Sequence, residues 1–158
     1  NATISWVSKN YMHYYGSRLS RHEIEDAINK FKDSINFSYI GENWYKFAAE
    51  DIVSNKIIAL VNGKMEFGPR ALGNRTIAAN ATNPEIKDRI NSTVKRRPWY
   101  QPFCPSILEE ERERLFEKSF PHKYMAIAFR LKKEFKDKIP SAIHIDGTAR
   151  PQFVEEKD

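Results

Sequence analysis

Residues 63–76 read GKMEFGPRALGNRT, a stretch that fits neither an ordinary helix nor an ordinary strand. Gly68-Pro69 and Gly73-Asn74 are chain-bending pairs on either side of a short apolar turn, and Arg70 and Arg75 stand beside them, where a core takes neither charge. A glycine-bounded turn lets consecutive backbone N–H groups point at one oxyanion, and a guanidinium adds two parallel hydrogen bonds in fork geometry. The stretch therefore predicts a loop that holds an anion, with Gly68 and Gly73 making the turns and Arg70 and Arg75 supplying the forks. The competing reading is a plain turn whose arginines pair with Glu66 and Asp88. The spacing is not that of the GxxxxGK[ST] phosphate loop and does not decide between the two.

Working outward, the flanking segments read as alternating helices and strands. Ser20 opens the capping box Ser-Arg-His-Glu, and Ile24, Ala27, Ile28 and Phe31 follow at helical spacing, which predicts an amphipathic helix over 21–33 with His22 on its surface. A second helix is expected over 44–54, with Trp44, Phe47, Ala48 and Ile52 on its buried side, before a strand over 56–62. Beyond the loop come a strand over 76–79, a helix announced by Asn83-Pro84-Glu85, and the basic segment VKRRPWYQPF. The remainder predicts strands over 106–108, 124–131 and 142–145, an acidic helix over 109–117, a solvated turn over 131–138 and a last strand at Phe153-Val154. That order means α/β or α+β around a mixed sheet.

Composition bounds the answer. At 158 residues and 41% hydrophobic content, one sizeable core and a single domain are expected. No apolar run approaches the roughly 18 residues of a membrane span, and nothing resembles a signal peptide. With the single cysteine, Cys104, this points to the reducing cytoplasm and away from a membrane. The Asn-x-Ser/Thr sequons at Asn1, Asn36, Asn74, Asn80 and Asn91 then read as chance in an Asn-rich chain. Between Lys64 and Ser106 stand eight basic residues against three acidic ones, an excess equal to the whole net charge of +5. A local excess of that kind attracts nucleotides, acyl phosphates or nucleic acid backbones, or else is a solvated basic face.

Within this region Lys95 and Arg97, two apart, share one side of an extended segment that Pro98 keeps from being helical, so they can clamp one phosphate chain. His144 and Asp146 precede Gly147. Two ligands do not make a metal site, and no metal is expected here. A nucleotide contact suits them better, because Asp146-Gly147-Thr148 makes a turn and Arg150 adds a phosphate partner; a purely structural turn is the alternative. Ser106 either donates to a phosphate oxygen or caps local backbone. Cys104 reads as a small side chain in the fold rather than a nucleophile, and Trp99, Tyr100 and Phe103 as core or pocket wall, with Tyr100 able to stack on adenine.

Five blocks in order carry a family resemblance: residues 63–76, KDRIN (87–91), KRR (95–97), PFCPS (102–106) and HIDGTAR (144–150). Together they resemble the C-terminal domain of the nodulation-type O-carbamoyltransferases, which include antibiotic-decorating enzymes. The resemblance runs from about Tyr14 to the end, and divides the chain into a linker segment over 1–19 and a YrdC-like domain over 20–158, cut short at its C-terminus. It implies a twisted mixed sheet flanked by helices, and a domain that takes carbamoyl phosphate and ATP, with Mg2+, to carbamoyl-adenylate. A separate N-terminal domain, which holds the iron, would pass the carbamoyl group to a hydroxyl. Lys95, Arg97 and Pro98 match the phosphate-binding Lys-x-Arg-Pro of YrdC-like proteins. On this reading Arg70, Lys95 and Arg97 are catalytic. Gly68, Gly73, Arg75, Arg96, Ser106, His144, Asp146, Thr148 and Arg150 bind substrate or nucleotide.

The chain departs from the family pattern at three places. Lys64 and Gln101 each stand where the family usually has arginine, and Pro98 stands in place of a usual glutamate. Losing a guanidinium at 101 removes a charge-assisted contact of roughly 1.5–3 kcal/mol unless Arg96 substitutes. Two readings from other classes compete. One is a nucleic-acid-binding module, disfavoured here, which would use the basic region with Trp99 and Tyr100. The other is a regulatory fragment with the fold and no turnover of its own.

Overall fold

The computed structural model describes residues 13–155; the N-terminal part of the expected linker segment, the sequon at Asn1 and the last three residues lie outside them. Helices and small sheets are mixed along the chain, an α+β arrangement. In order these are α1 (Arg21–Phe31), α2 (Trp44–Val53), β1 (Ile58–Val61), β2 (Arg75–Ala78), α3 (Ile86–Arg89), a π-helical turn (Ile90–Val94), β3 (Ser106–Leu108), α4 (Arg112–Leu115), β4 (Phe129–Arg130), β5 (Thr148–Ala149) and β6 (Gln152–Val154). Among the described residues the strands pair as β1 with β2, β3 with β6 in parallel, and β4 with β5 antiparallel. The chain divides into two compact units, residues 1–50 with 59–77 and residues 51–58 with 78–158.

The first unit holds α1 and the 63–76 loop. Its helix starts where the capping box predicts: Glu23 N–H donates to Ser20 Oγ at 3.2 Å, and Ser20 N–H donates to the Glu23 carboxylate at 2.7 Å. The expected burial of its apolar stripe is not found. No residue of α1 is buried, and Ile24 and Phe31 are 45% and 52% exposed. The same holds for α2, where Trp44 and Phe47 are exposed. Helical periodicity specifies an apolar face; it does not supply the surface that covers it. At its end α2 stops on Asn55, in the left-handed conformation (φ 62°), with Lys56 N–H returning to Asp51 O at 2.9 Å. Residues 13–18 run beside 64–67 through Gly16 N–H to Met65 O and Met65 N–H to Ser17 O. Gly16 is required there, since a Cβ would stand 2.6 Å from Met65 Cβ.

The second unit is built on a cluster of Phe116, Phe129, Leu131, Ala149 and Phe153, against which Ile107, Leu115 and Phe135 pack. The rings of Phe116 and Phe153 meet edge to face with centroids 5.6 Å apart. Two strand expectations fail in this unit. Only Phe129–Arg130 of 124–131 is a strand, because Met125 takes φ 52°, which extended pairing does not allow. Residues 142–145 form no strand: Ala142 N–H bonds Ile139 O and Gly147 N–H bonds His144 O, two turns that leave the strand to start at Thr148 as β5. The stretch 131–138 contains a 3₁₀ helix, Lys133–Lys138, between β4 and β5, with Phe135 on the core. No described helix is long and apolar enough to cross a membrane.

Candidate functional site

The 63–76 loop does hold an anion, and that anion is its own. Glu66 Oε1 accepts the backbone N–H groups of Leu72 at 2.7 Å, Asn74 at 2.8 Å and Arg75 at 3.2 Å. Burial of the carboxyl works to raise its pKa, but the hydrogen bonds from Leu72, Asn74, its own backbone and Arg75 outweigh that and hold it below the usual carboxylate range. Around this anchor Gly68 and Gly73 both take positive φ (142° and 117°), as the two bends require. Gly73 N–H donates to Thr76 Oγ1 at 2.9 Å. Arg75 turns back on the loop, its Nη1 donating to Asn62 O at 2.7 Å and Asn74 O at 2.8 Å. Its fork therefore grips backbone carbonyls and orients the loop. Arg70, on the bend between the two glycines, is half-buried.

In the second unit the basic segment is a turn and not the extended stretch expected of it, because Lys95 keeps helical angles and Arg96 is left-handed. The two-residue spacing therefore does not by itself put Lys95 and Arg97 on one side. The π-helical turn Ile90–Val94 ends with Lys95 N–H on Ile90 O, and Arg97 N–H reaches Asn91 O at 3.0 Å. Between them Arg96 takes φ 47°, a left-handed conformation that costs a non-glycine residue on the order of 1 kcal/mol. Asn91, 1% exposed, is the hub. Its Nδ2 donates to Trp99 O at 3.1 Å and Gln101 O at 3.0 Å, and its Oδ1 accepts Arg97 Nε at 2.6 Å. The Arg97 guanidinium also lies over the Phe103 ring, 4.5 Å from its centroid. Lys95 and Arg96 are exposed beside it, as are Trp99 and Tyr100, and Lys87 stands 6.0 Å from the Trp99 ring.

The HIDGTAR turn gathers three more of the expected residues. Asp146 Oδ1 accepts Thr148 N–H at 2.9 Å and Thr148 Oγ1 at 2.8 Å, and His144 Nδ1 lies 2.9 Å from Thr148 Oγ1. The bonds from the Thr148 backbone and side chain hold the Asp146 carboxyl below its ordinary value. Gly147 at φ 79° closes the turn, and Arg150, partly buried, follows it. Ser106 Oγ donates to Gln152 Oε1 at 3.2 Å across the β3–β6 pair. Among the described residues no three His, Cys, Asp or Glu side chains stand together as for a metal.

Three residues that shape these segments were missed in sequence: Glu66 as an internal anchor, Asn91 as the hub of the basic turn, and Gln152 opposite Ser106. The signal for Asn91 was a lone amide directly after the apolar Ile90 and four residues before a basic run. Its burial also closes the sequon at 91 to modification.

Fold and segments together describe an α+β domain carrying an arginine- and glycine-rich loop and an organised basic turn. The chain belongs to the carbamoyltransferase C-terminus family, whose pattern matches residues 49–158. An uncharacterized protein of Methanocaldococcus jannaschii is 65% identical over 157 residues, covering 98% of this chain and 26% of that protein. Nodulation protein U of Sinorhizobium fredii is 40% identical over 103 residues, covering 65% of this chain and 18% of that protein. Nodulation protein NolNO of the same organism is 44% identical over 112 residues, covering 68% and 16%. The chain thus spans about a quarter or less of the length of these relatives.

Proposed function

We propose that this chain is the carbamoyl-activating part of an O-carbamoyltransferase, forming carbamoyl-adenylate from carbamoyl phosphate and ATP for transfer to a hydroxyl by an N-terminal domain of the same longer protein. The observation that carries the reading is the Lys95–Arg97 turn, in which the Arg97 guanidinium is fixed by Asn91 and Phe103, in a chain of this family.

The reaction needs little covalent help from the protein. Water cleaves carbamoyl phosphate to carbamate and inorganic phosphate, and a carbamate oxygen then attacks the α-phosphorus of ATP while the bond to the departing pyrophosphate breaks. Several negative charges meet, so positioning and neutralisation carry the rate. Lys95 and Arg97 would bind the nucleotide phosphates, Arg70 the carbamoyl phosphate or carbamate, and Arg75 would hold the loop that presents Arg70. Arg96, Ser106 and Arg150 offer further phosphate donors, and His144, Asp146 and Thr148 a ribose contact. The donor set is basic rather than acidic, which fits a nucleotide's phosphates, and Mg2+ would arrive on those phosphates and offset their charge.

Calorimetric titration with MgATP and with carbamoyl phosphate tests the binding half of this reading. Heat and a raised melting temperature are expected; neither, at millimolar nucleotide, removes the nucleotide site. In the full-length protein, carbamoyl phosphate should stimulate exchange of label between pyrophosphate and ATP. Arg70→Lys, which keeps the charge and loses the fork, should impair that exchange. Tight, salt-dependent RNA binding that ATP does not compete would instead favour a nucleic acid module.

A further inference from the structure

Arg97 is the residue the proposed function leans on most, and the structure invests in holding it. Its Nε donates to Asn91 Oδ1 at 2.6 Å, its backbone N–H donates to Asn91 O at 3.0 Å, and its guanidinium carbon lies over the Phe103 ring, 4.5 Å from the centroid. Asn91 in turn is almost completely buried, and both protons of its amide go to carbonyls of the same turn, at Trp99 and Gln101. A buried amide with both donors and its acceptor engaged has one orientation, so the plane of the guanidinium bonded to it is set as well. The helix is π-helical at this point, a geometry that inserts a residue into the turn and recurs at functional sites. Arg96 follows in the left-handed conformation that a glycine would take without strain. A turn that served only to reverse the chain would need neither a buried polar hub nor a strained arginine.

We infer that Asn91 is the positioning residue of the anion site: its side chain fixes the Arg97 guanidinium in the orientation that receives a phosphate group of the ligand, and it does so without touching the ligand. The inference rests on the proposed reading of Arg97 as a phosphate ligand. A residue of this kind acts through its neighbour, so its contribution to binding disappears when the neighbour is removed. A residue that merely keeps the domain folded contributes whether or not Arg97 is present.

The test is a double-mutant cycle in the full-length protein, read by MgATP affinity, with the Arg97 Nε–H followed by nitrogen-15 NMR of the same proteins. Asn91→Ala is expected to weaken MgATP about tenfold or more, the loss of one charge-assisted contact, and to release the Arg97 Nε–H to rapid solvent exchange. Added to Arg97→Ala, it should weaken binding by less than about twofold further. Should Asn91→Ala not fold, Asn91→Asp replaces it in the cycle. There a carboxylate oxygen still accepts the Nε–H, which stays protected, while the donors to Trp99 O and Gln101 O are lost and the added negative charge offsets that of the guanidinium, so MgATP affinity falls only where Arg97 is present. Equal losses from Asn91→Ala with and without Arg97 overturn the inference, as does an Arg97 Nε–H signal indifferent to that substitution. A wild-type protein that binds no MgATP removes the nucleotide reading and this inference's role for Arg97 with it, whereas additive losses in a protein that does bind MgATP remove this inference alone.

Discussion

Glu66 Oε1 lies 2.8 Å from the amide nitrogen of Asn74, eight residues along the chain. With its bonds to Leu72 and Arg75, this carboxylate does inside the loop what a bound anion would do, and the loop's shape depends on it. Hydrogen bonds to a charged acceptor contribute about 1.5–3 kcal/mol net. Glu66→Ala should therefore destabilise the first unit by about 2 kcal/mol, measured by urea unfolding, and Glu66→Gln by less. A loss below about 0.5 kcal/mol for the alanine variant would mean the three amides are as well served by water.

The same bonds give a pH dependence of definite sign. The Glu66 carboxyl is held below its usual range in the folded chain, so the folded state binds its proton less readily than the unfolded state, where the pKa is about 4.3. Its contribution is complete above that value and is lost as pH falls through the lower folded value. Amide exchange protection at Leu72 and Asn74 should hold at neutral pH and decline only below about pH 4. The decline should vanish in Glu66→Gln.

Arg97→Ala should weaken MgATP binding about tenfold or more, while Lys133→Ala changes it less than about twofold. Both remove one positive charge, but Lys133 is exposed at the start of its 3₁₀ helix, and an exposed charge is screened by solvent. Calorimetric titration of the two variants separates a site from a diffuse basic surface, since the latter would give similar losses.

Arg96 stands at φ 47°, where glycine is unstrained. Arg96→Gly should stabilise the fold by up to about 1 kcal/mol and weaken MgATP. Thermal melting and titration of the one variant check both directions. Higher stability with unchanged affinity would take the Arg96 side chain out of the site.

Phe153 is fully buried among Phe116, Phe129 and Leu131. Phe153→Ala should cost about 3–5 kcal/mol, enough to unfold the second unit near room temperature in a marginally stable domain. Loss of near-ultraviolet circular dichroism measures it.

What the sequence determined by itself was local. The capping box places the start of α1 because Ser20 and Glu23 are three residues apart and need only each other. Asn83-Pro84-Glu85 announces α3 for the same reason, Asn83 Oδ1 accepting Glu85 N–H at 2.9 Å. The two glycines at 68 and 73 foretell positive φ, and the five ordered motifs foretell the family. Tertiary structure alone decided the rest. Residues 142–145 have strand composition, but bonds from Ala142 to Ile139 and from Gly147 to His144 draw them into turns, and pairing falls to Thr148–Ala149. The apolar stripe of α1 is legible in its spacing, yet its exposure is set by what packs on it, which no spacing encodes. Asn91 and Glu66 look in sequence like any surface polar residues. Their roles come from burial and from bonds to atoms six to ten residues away, distances that close only once the chain has turned back on itself. A polar side chain gains its meaning from where its partners end up, and that is a property of the folded backbone.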